Sequence, residues 1–332
     1  MKTKFLIFIF TGLAFAGGLL LCSNMKTKEI TTEYDLDTVD ELKISKSFKA
    51  SPDLNLYIES EVADVLIQSH EEDRIDVDFY VKGLEEKLKE FNISFEENEK
   101  SLTIKVKRKK KIRWFDFTDL FDFFNREWYE SARLVVNVPK KLSTVNIKAS
   151  GGDVKASNID ADFDIYSSGG DIYGEGINGP IYASSAGGDI RLKNCANSAE
   201  IKTSGGDIFI NDYQGSLELK SSGGDITVNK LSGHVTASSA GGDIKVDFLK
   251  PSGTTRLSSA GGDIKIYAPS NLNAYVDFKT SGGDIKIDFP INIETKTHSE
   301  LKGWIGKPNS GVIIEALTSG GDVELMSISD SE

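Results

Sequence analysis

The triplet Gly-Gly-Asp recurs at a nearly constant interval through the second half of this chain. Its aspartates are Asp153, Asp171, Asp189, Asp207, Asp225, Asp243, Asp263, Asp284 and Asp322. The first five intervals are all 18 residues, and the later ones are 20, 21 and 38 residues. A fixed period of this length is typical of a solenoid, in which each repeat forms one coil that stacks on its neighbours.

Apolar residues occupy fixed columns around each aspartate, at eight and six residues before it and at one, three and six residues after it. Around Asp207 these positions hold Ala199, Ile201, Ile208, Ile210 and Tyr213. A spacing of two indicates strands whose alternate side chains point inward. The columns place Cys195 in the core as a small buried residue, and Leu249 in the same column. The sequence therefore predicts an all-β fold, a single-stranded parallel β-solenoid with about 18 residues per coil.

The Gly-Gly-Asp triplets are predicted to form one corner of each coil, where glycine allows backbone angles that a side chain would forbid. The predicted structural-turn residues are Gly152, Asp153, Gly170, Asp171, Gly188, Asp189, Gly206, Asp207, Gly224, Asp225, Gly242, Asp243, Gly262, Asp263, Gly283, Asp284, Gly321 and Asp322. Stacked coils place these carboxylates about 4.8 Å apart, so their mutual repulsion must be offset.

Three explanations for the aspartate column are open. Calcium prefers oxygen ligands from such turns. Alternatively, each carboxylate accepts hydrogen bonds from backbone amides of the turn. A third explanation is neutralisation by basic residues on the same face, of which Lys155, Arg191 and Lys245 stand two positions after an aspartate. We favour turn chemistry together with a ladder of mixed charges, and we predict neither a metal site nor a cofactor.

The N-terminus has the features of an export signal. Lys2 and Lys4 precede an apolar run that ends near residue 22, as in a secretory leader. Cleavage after Ala16, lipidation of Cys22, and retention as an uncleaved anchor are all compatible with the sequence. We expect a signal peptide over residues 1–22, a polar tether over 23–40, an irregular β-rich N-terminal cap over 41–140 and the solenoid over 141–328. All three alternatives predict an exported protein of the cell envelope, whether periplasmic, extracellular or membrane-anchored.

A basic and aromatic insertion at residues 107–130 interrupts the strands of the predicted cap. The aromatic residues at the spacing of one helical face follow a run of basic residues. The candidates for membrane or partner contact are Lys109, Lys110, Lys111, Trp114, Phe117, Phe121, Phe124 and Trp128. Three interpretations are open: a helix or hairpin packed on the solenoid flank, an interfacial helix on anionic lipid, and a docking site for a partner protein.

The repeats S-S-G-G-D-I, S-A-G-G-D-I and T-S-G-G-D-I, flanked by apolar strands, resemble the bacterial putative-adhesin family of unknown function. This resemblance covers roughly residues 40–328. It implies a β-solenoid domain in exported or membrane-bound envelope proteins, and it carries over no catalytic residues.

The function predicted on this basis is non-enzymatic, adhesin-like binding or scaffolding. The partner would be an envelope or surface component, whether protein, glycan or lipid headgroup, with membrane association through the N-terminus. The net charge of −12 argues against nucleic acid as a partner. Two alternatives are an envelope-stress accessory protein and a polysaccharide-acting β-helix enzyme. For the enzyme, the stretch from Pro290 to Ser310, with Glu294, His298, Glu300 and Trp304, is the candidate region.

Overall fold

The computed structural model describes residues 41–82, 88–109 and 132–328, with the side chains of residues 41–43 and 82 left out. These residues form 24 β-strands. The strands are β1 (Glu41–Lys49), β2 (Asn55–Ser60), β3 (Asp64–His70), β4 (Arg74–Lys82), β5 (Phe91–Asn98), β6 (Ser101–Arg108), β7 (Ala132–Pro139), β8 (Lys141–Ala149), β9 (Val154–Ser157), β10 (Asp160–Ser167), β11 (Ile172–Glu175), β12 (Ile181–Ser185), β13 (Ile190–Thr203), β14 (Ile208–Ser221), β15 (Ile226–Ser239), β16 (Ile244–Pro251), β17 (Thr254–Ser259), β18 (Ile264–Pro269), β19 (Ala274–Thr280), β20 (Ile285–Ile287), β21 (Ile291–Lys296), β22 (Glu300–Ile305), β23 (Ile313–Thr318) and β24 (Val323–Ile328).

The strands stack in parallel, in the register that the repeat predicts. Ile190 pairs with Ile208, which pairs with Ile226, and the same column continues to Ile244. We call the strands before each Gly-Gly-Asp corner the front face and those after it the back face. The inward columns of both faces form one continuous core, in which these isoleucines are at most 1% exposed. The predicted all-β solenoid is therefore the observed fold.

The second glycine of each triplet allows the coils to approach closely. A Cβ atom on Gly206 would lie 2.2 Å from the carbonyl oxygen of Gly188 in the preceding coil, and one on Gly224 would lie 2.1 Å from that of Gly206. None of the triplet glycines has a φ in the left-handed region. The expectation that glycine is needed here for unusual backbone angles was wrong, because the constraint is the backbone of the neighbouring coil.

A column of buried hydroxyl groups closes the same corner. The hydroxyl of Ser221 accepts the N–H of Gly224 at 2.9 Å and donates to the carbonyl of Gly206 at 3.2 Å. Ser239 repeats both contacts one coil later. Each hydroxyl thus joins its own turn to the preceding coil, and it satisfies two backbone groups that burial would otherwise leave unpaired.

The second corner of the coil relies on residues in the left-handed region. Five residues after the aspartate, Asn158, Asn194, Asp212 and Lys230 have φ between 53° and 58°. Asparagine and aspartate tolerate this conformation better than other side chains. Strand β16 in the next coil has one residue fewer at this corner. The pairing of β15 with β16 therefore shifts register between Val228 and Leu231.

The register shift changes which residue fills the core at the second corner of β16. Phe248 pairs with Leu231 and is 1% exposed, whereas Leu249 is 62% exposed. The prediction that Leu249 lies in the core column was therefore wrong. Its spacing from the aspartate placed Leu249 in that column. Because the corner is one residue shorter, Phe248 fills the core position.

At the N-terminal end, the order of coils in space differs from their order in the chain. Strands β2 and β3 lie between β6 and β7 on one side and β8 and β9 on the other. The antiparallel strands β5, β4 and β1 extend the two faces beyond this point. The region predicted as an irregular cap over residues 41–140 therefore contains two coils of the solenoid, and β2 and β3 pair directly with the first repeat.

The C-terminal end shows the same reordering. The last coil in the chain, β23 and β24, lies between β17 and β18 on one side and β19 and β20 on the other. The antiparallel hairpin of β21 and β22 then extends the front face past β19. The 38-residue interval before Asp322 thus holds a capping hairpin and a return of the chain.

Candidate functional site

The aspartates of the corners form a hydrogen-bonded ladder along the solenoid. The Oδ1 atom of Asp153 accepts the backbone N–H of Asp171 at 2.8 Å, and Asp171 accepts that of Asp189 at the same distance. The pattern continues through every later coil and ends where Asp322 accepts the N–H of Asp284. Each carboxylate therefore bonds to the turn of the next coil, a variant of the turn chemistry proposed from the sequence.

The ladder begins one coil earlier than the Gly-Gly-Asp motif. The N–H of Asp153 donates to Oδ1 of Asp64 at 2.9 Å. Asp64 ends the segment Ser60-Glu61-Val62-Ala63-Asp64, and Ser60 makes the corner hydroxyl contacts within it. Sequence reasoning missed Asp64 because valine and alanine replace the two glycines. The spacing of Ser60 and Asp64, with Leu56 and Ile58 ahead of them, was the available signal.

Basic residues pair with only part of the aspartate column. Arg191 bridges Asp189 at 2.7 Å and Asp171 at 3.4 Å. Lys155 and Lys245, two of the predicted ladder residues, lie 5.2 Å from the ring centres of Tyr173 and Tyr267, respectively. Exposed ion pairs contribute little to stability, so the backbone N–H groups are the main partners of the carboxylates.

The pKa of the Asp322 carboxyl is lowered, and a backbone N–H group contributes more to this shift than a basic side chain. The backbone N–H of Asp284 lowers the pKa of this carboxyl most, and the ammonium group of Lys286 lowers it further. Hydrogen bonds to the ionised form favour that form. The turn contacts therefore favour the charged form of this carboxylate.

We expect the solenoid to unfold at nearly the same temperature with and without calcium. One oxygen of each ladder aspartate other than Asp284 already accepts a backbone N–H, and no group of three or more acidic, histidine or cysteine side chains suited to a metal occurs among the described residues. Thermal unfolding followed by circular dichroism, with chelator and then with added Ca²⁺, measures this. A large rise in the midpoint with calcium would identify the aspartates as ligands.

The basic and aromatic insertion lies almost entirely outside the described residues. Of its predicted contact residues, Lys109 is described and exposed, and its N–H donates to the carbonyl of Glu90 at 2.7 Å. The other predicted contact residues lie outside the described residues: Lys110, Lys111, Trp114, Phe117, Phe121, Phe124 and Trp128. So do the predicted leader with Cys22 and the predicted tether. The insertion begins at the end of β6 and precedes β7. In the next coil, Glu61–Ala63 span the equivalent corner between β2 and β3.

The stretch considered for catalysis forms the capping hairpin. Glu300 pairs with Lys302 at 3.0 Å and with Lys279 at 3.4 Å. Glu294 accepts the hydroxyl of Tyr275 at 3.1 Å, and the ring of Tyr275 packs on Trp304. These side chains are engaged with one another on an outer face, and His298 is exposed in the turn. The structure therefore gives this stretch a capping role.

A pair of tyrosines stands out on the front face. The rings of Tyr166 and Tyr182 are 5.3 Å apart and tilted by 46°, and Tyr166 is 41% exposed. They lie diagonally on neighbouring coils, since Tyr166 pairs with Ser184 and Tyr182 pairs with Asp164. The solenoid core does not require rings at these outward positions. We call Tyr166 and Tyr182 the tyrosine platform.

Charged and hydroxyl groups surround the tyrosine platform. The Nζ atom of Lys202 lies 5.4 Å from the ring centre of Tyr182, and it pairs with Glu200. The hydrogen bond to Glu200 is the main reason that the pKa of Lys202 is raised. The Oδ1 atom of Asp164 is buried and has no hydrogen-bond partner among the described residues.

Two shallow troughs lie on either side of the platform. One, of about 440 Å³, runs beside Tyr166 and is lined by Lys148 and several serines, including Ser184. The other, of about 460 Å³, runs beside Tyr182 and is lined by Glu200 and Glu218. Aromatic faces next to polar side chains on a flat surface can bind a ligand that has both apolar and hydroxyl-bearing faces.

These features define a β-solenoid whose repeat residues form its core and corners and whose outer face carries the candidate site. The chain belongs to the Toastrack DUF4097 family, whose model matches residues 54–326. A search of curated proteins found no match. No helix among the described residues has the length and apolar character needed to span a bilayer.

Several solved structures are similar to this chain. A putative adhesin from Bacteroides fragilis NCTC 9343 is 15% identical, with 86% of this chain and 97% of that chain covered and a TM-score of 0.45. A putative adhesin from Parabacteroides distasonis ATCC 8503 is 18% identical, with 86% and 98% covered and a TM-score of 0.44. A putative lipid binding protein from the same organism is 14% identical, with 86% and 96% covered and a TM-score of 0.43.

Proposed function

We propose that this protein is a non-enzymatic, adhesin-like binding protein of the cell envelope, and that its tyrosine platform binds a glycan. The observation that supports this most directly is the pair of outward-facing rings, of which Tyr166 is exposed and Tyr182 is half-buried. A sugar ring has a C–H face that packs on an aromatic ring, and a rim of hydroxyl groups that need hydrogen-bond partners. Lys202, Glu200 and Ser184 provide such partners around the rings.

The tyrosine platform can be tested with a double substitution, Tyr166→Ser with Tyr182→Ser. We expect binding to envelope polysaccharide to fall about tenfold or more, because both aromatic contacts are lost. Isothermal titration calorimetry against purified polysaccharide fractions and a panel of defined glycans measures the affinity. The fold should be unaffected, since both side chains point outward.

Phe209→Ser provides the matched control for the double substitution. Phe209 is 40% exposed, close to the value for Tyr166, but it lies on the back face. Its replacement should leave glycan binding unchanged. If the control variant loses binding equally, or if the tyrosine variant binds every glycan as the parent does, the platform is not the site.

The envelope location rests on the leader, and it has its own test. We expect mass spectrometry of the native protein to find an N-terminus at Gly17, or a lipidated Cys22. The basic and then apolar composition of residues 1–21 is the reason. An intact Met1 in a soluble cytoplasmic fraction would contradict the proposal. Membrane contact by the basic and aromatic insertion remains a proposal from its sequence alone.

A further inference from the structure

Strand β20 is an open edge at the C-terminal end of the back face. It pairs with β24 on one side, through Ile285 with Val323 and Ile287 with Leu325, and with no other described strand. On the front face, by contrast, the capping hairpin of β21 and β22 continues the sheet past β19. The back face therefore ends on a parallel strand whose outer side has no partner among the described residues.

The hydrogen bonds of the other coils identify which backbone N–H groups are unpaired on this edge. In each of them, the residue after the corner aspartate donates its N–H to the carbonyl of the next aspartate, as Ile264 does to Asp322 at 2.8 Å and Val323 does to Asp284 at 2.9 Å. Ile285 occupies the same position at the end of the stack, and its N–H has no acceptor among the described residues. Because alternate residues of a strand have the same orientation, the N–H of Ile287 points to the same open side as that of Ile285.

The aspartate ladder ends at the same place. Every other ladder aspartate accepts the N–H of an aspartate in the next coil of the stack. Asp284 donates its N–H to Asp322 but accepts no N–H from a described aspartate. The burial of the core side chains also changes at this strand. Val323 and Leu325 are fully buried, but Ile285 and Ile287, in the same two columns, are partly exposed. An added strand would cover them and would continue both the backbone pairing and the ladder.

A second copy of this chain fits the edge poorly. If two β20 strands paired antiparallel through Ile285 and Ile287, Lys286 would lie opposite Lys286, and Asp284 opposite Asp288. Like charges directly opposite each other destabilise a strand pair. The outward side chain of Lys286 is already paired with Glu324 at 2.9 Å and Asp322 at 3.3 Å. The two flanking aspartates are the charges left for a partner to meet.

We propose that the β20 edge binds an extended segment of a partner protein by strand addition. The segment would have two apolar residues at alternate positions, to cover Ile285 and Ile287. It would have a basic residue at each flank, opposite Asp284 and Asp288, and an uncharged polar residue opposite Lys286. Backbone hydrogen bonds would provide affinity, and the apolar and basic positions would provide specificity. This surface is separate from the tyrosine platform and does not depend on glycan binding.

The test uses full-length protein and a fluorescent peptide containing Lys-Val-Thr-Val-Lys, with a Glu-Val-Thr-Val-Glu peptide as the control. We expect the lysine peptide to bind at least tenfold more tightly, and methylation of its backbone nitrogens to abolish binding. Ile285→Pro removes the outward N–H while keeping the bonds of Asp284 and Lys286 to β24. We expect it to weaken binding about tenfold.

A charge reversal keeps the test decisive if the proline variant unfolds. Asp284→Lys changes an exposed side chain at the end of the ladder, and it should shift the preference toward the glutamate peptide. Equal binding of the two peptides, no binding of either, or an unchanged preference in Asp284→Lys would overturn the proposal. So would a dimer of the parent protein that Ile285→Pro converts to monomer, because a second copy would then be the occupant.

Discussion

Gly206→Ala is expected to destabilise the protein by about 3 kcal/mol or more. The added Cβ atom would lie 2.2 Å from the carbonyl oxygen and 2.5 Å from the carbonyl carbon of Gly188. Both atoms are backbone in the preceding coil, which the aspartate ladder and the corner hydroxyls hold on both sides. The clash can be relieved only by separating coils. Urea unfolding followed by circular dichroism gives the free energy of unfolding.

The adjacent position provides the control for this substitution. A Cβ atom on Gly205 would have its closest contact at 3.8 Å, an ordinary van der Waals distance. Gly205→Ala should therefore change the free energy of unfolding by no more than about 1 kcal/mol. Equal losses at both positions would mean that a backbone angle, and not the approach of the coils, sets the requirement for glycine.

Ile208→Asp is expected to prevent folding of the solenoid. Ile208 is 1% exposed and pairs with Ile190 and Ile226 in the central core column. An unpaired carboxylate there costs about 4 kcal/mol or more, which is a large part of the stability of a typical domain. Expression in soluble form, followed by circular dichroism and urea unfolding, measures the effect.

The neighbouring residue gives the contrasting result. Asp207→Asn should change stability by about 1 kcal/mol or less. In the parent protein, Oδ1 of Asp207 accepts the N–H of Asp225 at 2.8 Å. The side-chain oxygen of asparagine can accept the same N–H. The substitution also removes one charge from a column of like charges. If Asp207→Asn is as damaging as Ile208→Asp, the ladder depends on charge as well as on hydrogen bonding.

The core was predictable from the sequence because spacing alone places Ile208, Ile226 and their equivalents inward. The corner was only half predictable. The column that contains Ser221 and Ser239 was recognisable as small, but its double hydrogen bond depends on the distance between coils. Phe248 and Leu249 exchanged places for a similar reason, since one missing corner residue shifts the register locally, which the spacing of the motif does not show.

The order of the terminal coils could not be read from the repeat. Periodicity shows that β23 and β24 form a coil, but not that this coil enters between two earlier ones. Which strands pair is decided in three dimensions, by the packing of the capping strands and the return of the chain. The tyrosine platform was likewise invisible in the repeat, because Tyr166 and Tyr182 come from different columns and meet on a diagonal.

The reordered ends set how such a protein can change length in evolution. A coil added between β10 and β16 would meet a copy of itself above and below, so whole repeats can be duplicated there and the rod grows by about 4.8 Å for each. Neither end tolerates this, because the coils at each end are stacked out of chain order. Duplication in the middle would move the tyrosine platform and the β20 edge apart in fixed steps. Family members of different lengths should therefore vary in the number of central repeats and share the same two ends.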